Sequence, residues 1–435
     1  MSSVFKAYDI RGIYGRDLTP DVVRRIGYAV GKFFGGGRIL VGMDVRVHSP
    51  DVMRHLIAGL VAAADVEILG TVTTPMTHFA SRIFYEPAVM ITASHNPPEY
   101  NGLKIMHKGG IDLTSAELQR VKEMIEEPPD LQTGLIYAAD VREHYFKYME
   151  NAFGDFDLAA GFDPANAAGV VLKPLLKRVF KRVVAINDRP DGRFPAHPPD
   201  PERAENLAQL IELVKRERLD VGIALDGDCD RVGLVTAKGN FFRPEKVAYL
   251  LIEHMAKPGD VVVLDATMPL YLEEVAAERG VKIVRERVGH SFQKAAAIRN
   301  NALFWAEYSG HVGFKDHYYF DDGIYTALKA LDVARRASVD LDEVLAEAPK
   351  VYEIRLDLRA VDQTKAMEKV RGLIPSLSGV DVVEIDGVDL RFSDGGRILI
   401  RPSNTEPLIR VKLEAKDAVG LERLKSELGR LGIGG

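Results

Sequence analysis

Short apolar runs alternate with amphipathic helices along most of this chain, and no other feature limits its fold as strongly. Thr19-Pro20-Asp21 supplies an N-cap and a first-turn proline, and Val22, Val23, Ile26, Val30 and Phe33 follow at helical spacing. Residues 38–42 then read as a buried strand. Ser49-Pro50-Asp51 repeats the helix start, and 66–69 and 88–92 read as further strands. Thr114 and Glu117 form a capping box ahead of another helix. Alternation of this kind implies α/β layers.

The alternation resumes twice. Strand-like runs at 170–172, 183–186 and 221–225 bracket helical segments in one block, and 261–264 and 282–284 do so in the next. Proline-rich stretches at 127–130 and 194–201 mark breaks. Beyond residue 351 the pattern changes. Tyr352, Ile354, Leu356 and Leu358 alternate with Glu353, Arg355 and Asp357, as in a half-buried strand. Short strands at 397–401 and 408–413 flank a polar loop at 402–407, which reads as a smaller α+β domain.

Length alone, 435 residues, suggests about three domains at roughly 150 residues each. Lys and Arg total 57 against 63 Asp and Glu, a net charge of −6. That balance argues against a nucleic-acid surface but leaves room for a basic cleft that takes a small anion. Cys229 is the single cysteine, so no intrachain disulfide forms and a cytoplasmic protein is expected. No run approaches the roughly 18 apolar residues of a membrane span, and no signal peptide is expected.

Four polar segments carry chemistry. In the first, 92–104, Ser94, His95, Asn96, Asn101 and Lys104 crowd directly after a strand, where α/β proteins place ligands. Ser94 reads as a surface hydroxyl, although Asn-Pro-Pro and Asn-Gly make a plain tight turn an equal reading. In the second, Asp226, Asp228 and Asp230 stand at alternate positions between two strand-like runs and would repel one another without a cation, although an exposed acidic turn stays open as the plainer alternative. An EF-hand is excluded, because counting from Asp226 puts Arg231 and Ala237 where that loop needs Gly and Glu. Hard oxygen donors favour Mg²⁺. In the third, Glu307 and Ser309, two apart at the end of a strand, would face the same way and suit sugar hydroxyls, with His311 beside them. In the fourth, Arg401, Ser403, Asn404 and Thr405 put a guanidinium, two hydroxyls and an amide on a loop bounded by Pro402 and Pro407. Such a set binds phosphate, though a polar hairpin turn remains open.

Together with residues 7–12, these segments resemble, in order and from end to end, the α-D-phosphohexomutase family, most closely its bacterial phosphomannomutase/phosphoglucomutase branch. The resemblance implies three related α/β domains, 1–139, 140–242 and 243–350, and a C-terminal α+β phosphate-binding domain, 351–435, around a central cleft. It implies that Ser94 is the phosphoserine and that Asp226, Asp228 and Asp230 hold Mg²⁺ with its phosphate. Arg11, Lys104, Arg231 and His311 would serve catalysis. Tyr8, His290, Glu307 and Ser309 would contact the substrate, and Arg401, Ser403, Asn404 and Thr405 the non-reacting phosphate. The substrates would be hexose phosphates, mannose or glucose, with a glucose 1,6-bisphosphate-type activator to prime Ser94, in a monomer or homodimer. Cys229 stands where this family more often has Gly, and Ala196 where an Asn is common. Residues 265–267 lack a lysine often found there. Within the same fold a phosphoglucosamine mutase is the nearest rival, which Asn404 disfavours. A sugar-phosphate phosphatase and a non-catalytic binding protein are rivals of other classes.

Overall fold

The computed structural model describes residues 4–6, 9–126, 133–360, 362–374, 379–403 and 408–431. Tyr8, Asn404, Thr405 and the proline-rich stretch at 127–130 lie outside these residues. The chain divides into two compact units, Met1–Pro244 with Ser309–Glu343, and Glu245–Tyr308 with Val344–Gly435.

The first unit holds two sheets. One runs in the order Ile10–Ile13, Tyr100–His107, Ala88–Ile91, Arg38–Met43, Asp65–Thr71 and Ile136–Ala138. Its four central and distal strands are parallel, and Ile10–Ile13 and Tyr100–His107 join antiparallel. The expected capping box at Thr114 and Glu117 is present. Met43 pairs with Ile91, so the chain leaves both strands at one level and Asp44 N–H donates to Ile91 O at 2.9 Å. That register brings segments 44–46 and 92–94 side by side.

The other sheet runs Phe241–Phe242, Val232–Thr236, Val221–Leu225, Phe156–Asp163 and Phe180–Ala185. Its antiparallel hairpin, Val221–Leu225 with Val232–Thr236, is buried along both strands and carries the aspartate loop at its turn. Here one expected strand is corrected. Residues 170–172 belong to a 3₁₀ helix, Ala168–Leu172, and the strand is Phe156–Asp163, paired in parallel on both sides. Ala and Gly at 159–161 give that strand little intrinsic β preference, so its pairing partners decide it.

In the second unit Lys282–Glu286, Val261–Asp265 and Phe304–Ala306 form a parallel set. The C-terminal sheet is antiparallel throughout, in the order Tyr352–Arg359, Leu408–Ala415, Arg397–Pro402, Val388–Phe392 and Val380–Val383. Helices Gln363–Leu373 and Ala418–Arg430 cover it and bury Met367, Val370, Leu424 and Leu428 against Val388, Leu390 and Val411. No helix among the described residues is long and apolar enough to cross a membrane.

Candidate active site

Ser94 lies at the end of the path from strand Ala88–Ile91, with a left-handed φ of 50° and its N–H donating to Thr92 Oγ1 at 2.9 Å. The residue is 2% exposed. The expected surface hydroxyl is therefore a buried one, because the aspartate hairpin packs directly over it. Gly227 makes this possible: a Cβ there would stand 2.0 Å from Ser94 O. Ser94 Oγ donates to Asp226 Oδ2 at 2.6 Å.

Asp226, Asp228 and Asp230 are all fully buried, and one carboxylate oxygen of each lies within 4.8 Å of the others. Lys104 Nζ, from strand Tyr100–His107, donates to Asp228 Oδ2 at 2.8 Å and Asp230 Oδ2 at 2.5 Å. Thr74 Oγ1, at the start of helix Thr74–Phe84, donates to the same Asp228 oxygen at 2.6 Å. Burial, then the charges of Asp230 and Asp228, push the Asp226 carboxyl well above its usual range. Burial pushes Asp228 the same way, but Lys104 and its hydrogen bonds outweigh it and hold that carboxyl well below. Burial opposes the charge on Lys104, yet the attraction of Asp228, Asp230 and Asp321 raises its ammonium well above the normal value.

Asp228 Oδ1 is buried without a hydrogen-bond partner among the described residues. An orphaned carboxylate oxygen among three buried acids, with one lysine between them, is a donor set suited to a hard divalent cation. The residues present fit Mg²⁺.

Arg231 closes the loop. Its Nη2 lies 3.4 Å from Ser94 Oγ and also meets His95 Nδ1. Burial, then the neighbouring Arg231 and Arg11, push the His95 imidazole well below its usual value, which leaves it neutral and able to accept. Arg11, on strand Ile10–Ile13, donates to Asn96 Oδ1 at 2.9 Å and pairs with Asp9 at 2.6 Å. His311 bridges to Arg231 through the backbone, and its Nδ1 stands 3.1 Å from Asp321 Oδ2 and 3.5 Å from Asp230 Oδ1.

In the second unit Glu307 follows strand Phe304–Ala306 and accepts from Gly289 N–H at 2.7 Å, beside the buried His290 that opens helix His290–Arg299. Asp386 accepts from Val288 N–H at 3.3 Å and from Arg401 Nη1 at 3.1 Å. One hydrogen-bonded chain thus ties the segment before His290 to Arg401. Ser403 is buried, with its N–H on Leu408 O at 2.9 Å. The strand expected to carry Glu307 and Ser309 stops short of both. The strand ends at Ala306, and Tyr308-Ser309 form a turn, so strand alternation no longer governs where they point.

Of the predicted residues, the structure gathers Ser94, Lys104, Asp226, Asp228, Asp230, Arg231, Arg11 and His311 in the first unit, and His290, Glu307, Arg401 and Ser403 lie in the second. Sequence reasoning named His95 and Asn96 only as neighbours of Ser94, and it missed Thr74 and Asp321 as parts of the first group. Thr73-Thr74-Pro75 and Asp321-Asp322-Gly323 carried the available signal, since each is a helix start placed at the site.

Comparison with known proteins follows this geometry. Models of the phosphoglucomutase/phosphomannomutase family match successive parts of the chain: α/β/α domain I at 2–131, domain II at 137–239, domain III at 243–352 and the C-terminal domain at 341–430. A phosphomannomutase of Methanocaldococcus jannaschii is 34% identical, covering 98% of this chain and 97% of its own. A phosphomannomutase/phosphoglucomutase of Pseudomonas aeruginosa is 33% identical, covering 98% and 94%. Among solved structures, a phosphoglucomutase/phosphomannomutase family protein of Burkholderia thailandensis superposes with a TM-score of 0.90 at 32% identity, covering 99% of this chain and 97% of that one. What the layered α/β fold and the buried acid centre define is a phosphoryl-handling enzyme class. The chain belongs to the phosphoglucomutase/phosphomannomutase family of enzymes.

Proposed function

We propose that this chain interconverts hexose 1-phosphate and hexose 6-phosphate, with mannose or glucose as the sugar, through a phosphoserine at Ser94 and a hexose 1,6-bisphosphate intermediate. The observation that carries the reading is the 2.6 Å contact of Ser94 Oγ with Asp226, inside a buried trio of acids and next to two cations.

In the proposed reaction a free sugar hydroxyl attacks the phosphorus on Ser94. The new sugar O–P bond forms as the Ser94 Oγ–P bond breaks, the hydroxyl proton leaves to a base, and Ser94 departs as an oxyanion. Phosphoryl transfer asks a protein mainly for alignment and charge neutralisation. Arg231 stands where the departing Ser94 oxygen develops charge. Lys104, whose charged form Asp228 and Asp230 favour, serves as countercharge. His311, with Nδ1 3.1 Å from Asp321 Oδ2 and 3.5 Å from Asp230 Oδ1, is the side chain proposed to receive the hydroxyl proton. A divalent cation, Mg²⁺ by donor chemistry, would be held by Asp226, Asp228 and Asp230 and would neutralise phosphoryl charge. The bisphosphate then returns its other phosphate to Ser94 after reorienting. Arg401 and Ser403, with Asn404 and Thr405, would hold whichever phosphate is not reacting. A glucose 1,6-bisphosphate-type activator would restore phosphate to Ser94 when it is lost.

The test is turnover of mannose 1-phosphate, glucose 1-phosphate and glucosamine 1-phosphate, with peptide mapping of the isolated protein. Isomerised mannose or glucose phosphate and a phosphate on Ser94 are expected. Inorganic phosphate without isomerised sugar would make the chain a phosphatase, and preference for the glucosamine substrate would shift the sugar assignment.

A further inference from the structure

Arg46 is among the largest side chains that the fold buries completely. Its guanidinium spends four hydrogen bonds on backbone carbonyls of one short loop. Nη1 donates to Pro97 O at 2.7 Å and Tyr100 O at 3.1 Å, and Nη2 donates to Ser94 O at 2.7 Å and Asn96 O at 2.6 Å. Asp44 anchors the cation through Nε at 3.2 Å. Asp44 is itself held by Ser49 Oγ at 2.5 Å, which accepts from Asn101 at 3.1 Å. From the neighbouring sheet, the loop after strand Phe180–Ala185 closes over the arginine. Phe194 sets its ring 5.0 Å from the guanidinium, and Gly192 packs so closely that a Cβ would lie 2.5 Å from Arg46 Cα.

We infer that Arg46 is a positioning residue for phosphoryl transfer: it locks the backbone of 94–100 so that the left-handed Ser94 presents Oγ to the aspartate loop. The Ser94 carbonyl sits between the guanidinium and Gly227, so its orientation is fixed from both sides. No hydrogen bond from Arg46 reaches a carboxylate of the trio or Ser94 Oγ. Its effect therefore runs through loop geometry, where a displacement of about 1 Å can cost roughly 10²-fold in rate. A lysine offers one ammonium in place of a planar fork and cannot serve four carbonyls. The inference rests on the phosphoserine reading above.

The experiment compares wild type, Arg46→Lys, Arg46→Met and Phe194→Leu in purified full-length protein with Mg²⁺, after far-UV circular dichroism confirms folding. The mutase rate is measured alongside the leak of phosphate from phospho-Ser94 to water, and their ratio cancels any loss of folded enzyme. A misaligned loop slows transfer to the bound sugar hydroxyl more than hydrolysis by mobile water. The expected result is a kcat lower by about 100-fold in Arg46→Met with KM within about threefold, a partial recovery in Arg46→Lys, and a smaller drop in Phe194→Leu. The transfer-to-hydrolysis ratio should fall in the same order. An unchanged ratio in the folded variants overturns the inference, as does a KM rise at constant kcat. If Arg46→Met does not fold, Phe194→Leu and Arg46→Lys decide by the same ratio. Absence of phosphate on wild-type Ser94, with Ser94→Ala fully active, would instead sink the phosphoserine reading itself.

Discussion

Ser94 Oγ donates to Asp226 Oδ2 at 2.6 Å across 132 residues of chain. The two belong to different sheets, and neither sheet alone makes the contact. Phosphorylation of that hydroxyl would remove the donated proton and set about −1.5 to −2 charges against buried carboxylates. Only added positive charge offsets such a state, so the proposed phosphoserine calls for Lys104, Arg231 and a cation on the three acids.

Ser94→Ala should therefore remove nearly all mutase activity while changing stability by only ~1 kcal/mol, the usual size of one hydrogen bond. A coupled mutase assay and urea melts check both halves. Substantial turnover in the variant would remove the phosphoenzyme from the mechanism.

The acids predict a second, activity-independent effect. Asp226 is driven toward protonation by burial and by Asp230 and Asp228, so its charge is a burden on the fold when no cation is bound. Asp226→Asn should melt no lower than wild type in EDTA. Wild type should gain stability with Mg²⁺, ~2.7 kcal/mol at a hundredfold excess over Kd, and the variant should lose most of that gain. Thermal melts with and without the metal decide the matter. Equal Mg²⁺ shifts in both proteins would place the cation elsewhere.

Much of this was legible in the sequence for identifiable reasons. The helix starts at Thr19 and Thr114 were plain because capping chemistry is local, and both side chains accept the expected N–H. The aspartate trio stood out because three acids at alternate positions repel one another unless solvent or a cation compensates them, but that all three are buried was not legible. Burial of Ser94 was not legible. It depends on a glycine from a hairpin more than a hundred residues away, and no local pattern encodes that packing. Strand Phe156–Asp163 was hidden for a related reason, since Ala159, Ala160 and Gly161 acquire their strand character from Val221–Ala224 on one side and Arg182–Ala185 on the other. Thr74 and Asp321 were missed because each looks like ordinary helix-start chemistry until the chain brings the acids to it.

The proline-rich loop at 194–201 carries its own pH dependence. His197 Nε2 lies 3.0 Å from Asp163 Oδ2; burial opposes its charge, but the hydrogen bond and attraction of Asp163 prevail and raise its pKa above 6.5. The folded state then binds more protons than the unfolded one above that value. The stabilisation is fully present below pH 6.5 and is lost as pH rises through the folded-state pKa. Urea midpoints between about pH 6 and pH 9 should decline more steeply in wild type than in His197→Gln. Parallel profiles would mean that the imidazole binds its proton equally well in the folded and unfolded chain, and wild type gaining on the variant as pH rises would mean that burial, not Asp163, prevails.

Arg401 offers the sharpest test of a substrate that must bind in two orientations. Its guanidinium is buried and held by Asp386 at 3.1 Å, so its direction is set before any ligand arrives. If one loop holds the non-reacting phosphate in both half-reactions, Arg401→Ala should weaken binding of the 1-phosphate and the 6-phosphate alike. Loss of a charge-assisted hydrogen bond is worth ~1.5–3 kcal/mol, which corresponds to a rise in Kd of roughly 10- to 150-fold for each isomer. Asp386→Asn keeps the cation and removes only its anchor, so it should weaken both isomers less. Isothermal titration with each sugar phosphate against the Ser94→Ala background measures this without turnover. A penalty confined to one isomer would mean that the two orientations use different phosphate sites, and the single-loop scheme would fail.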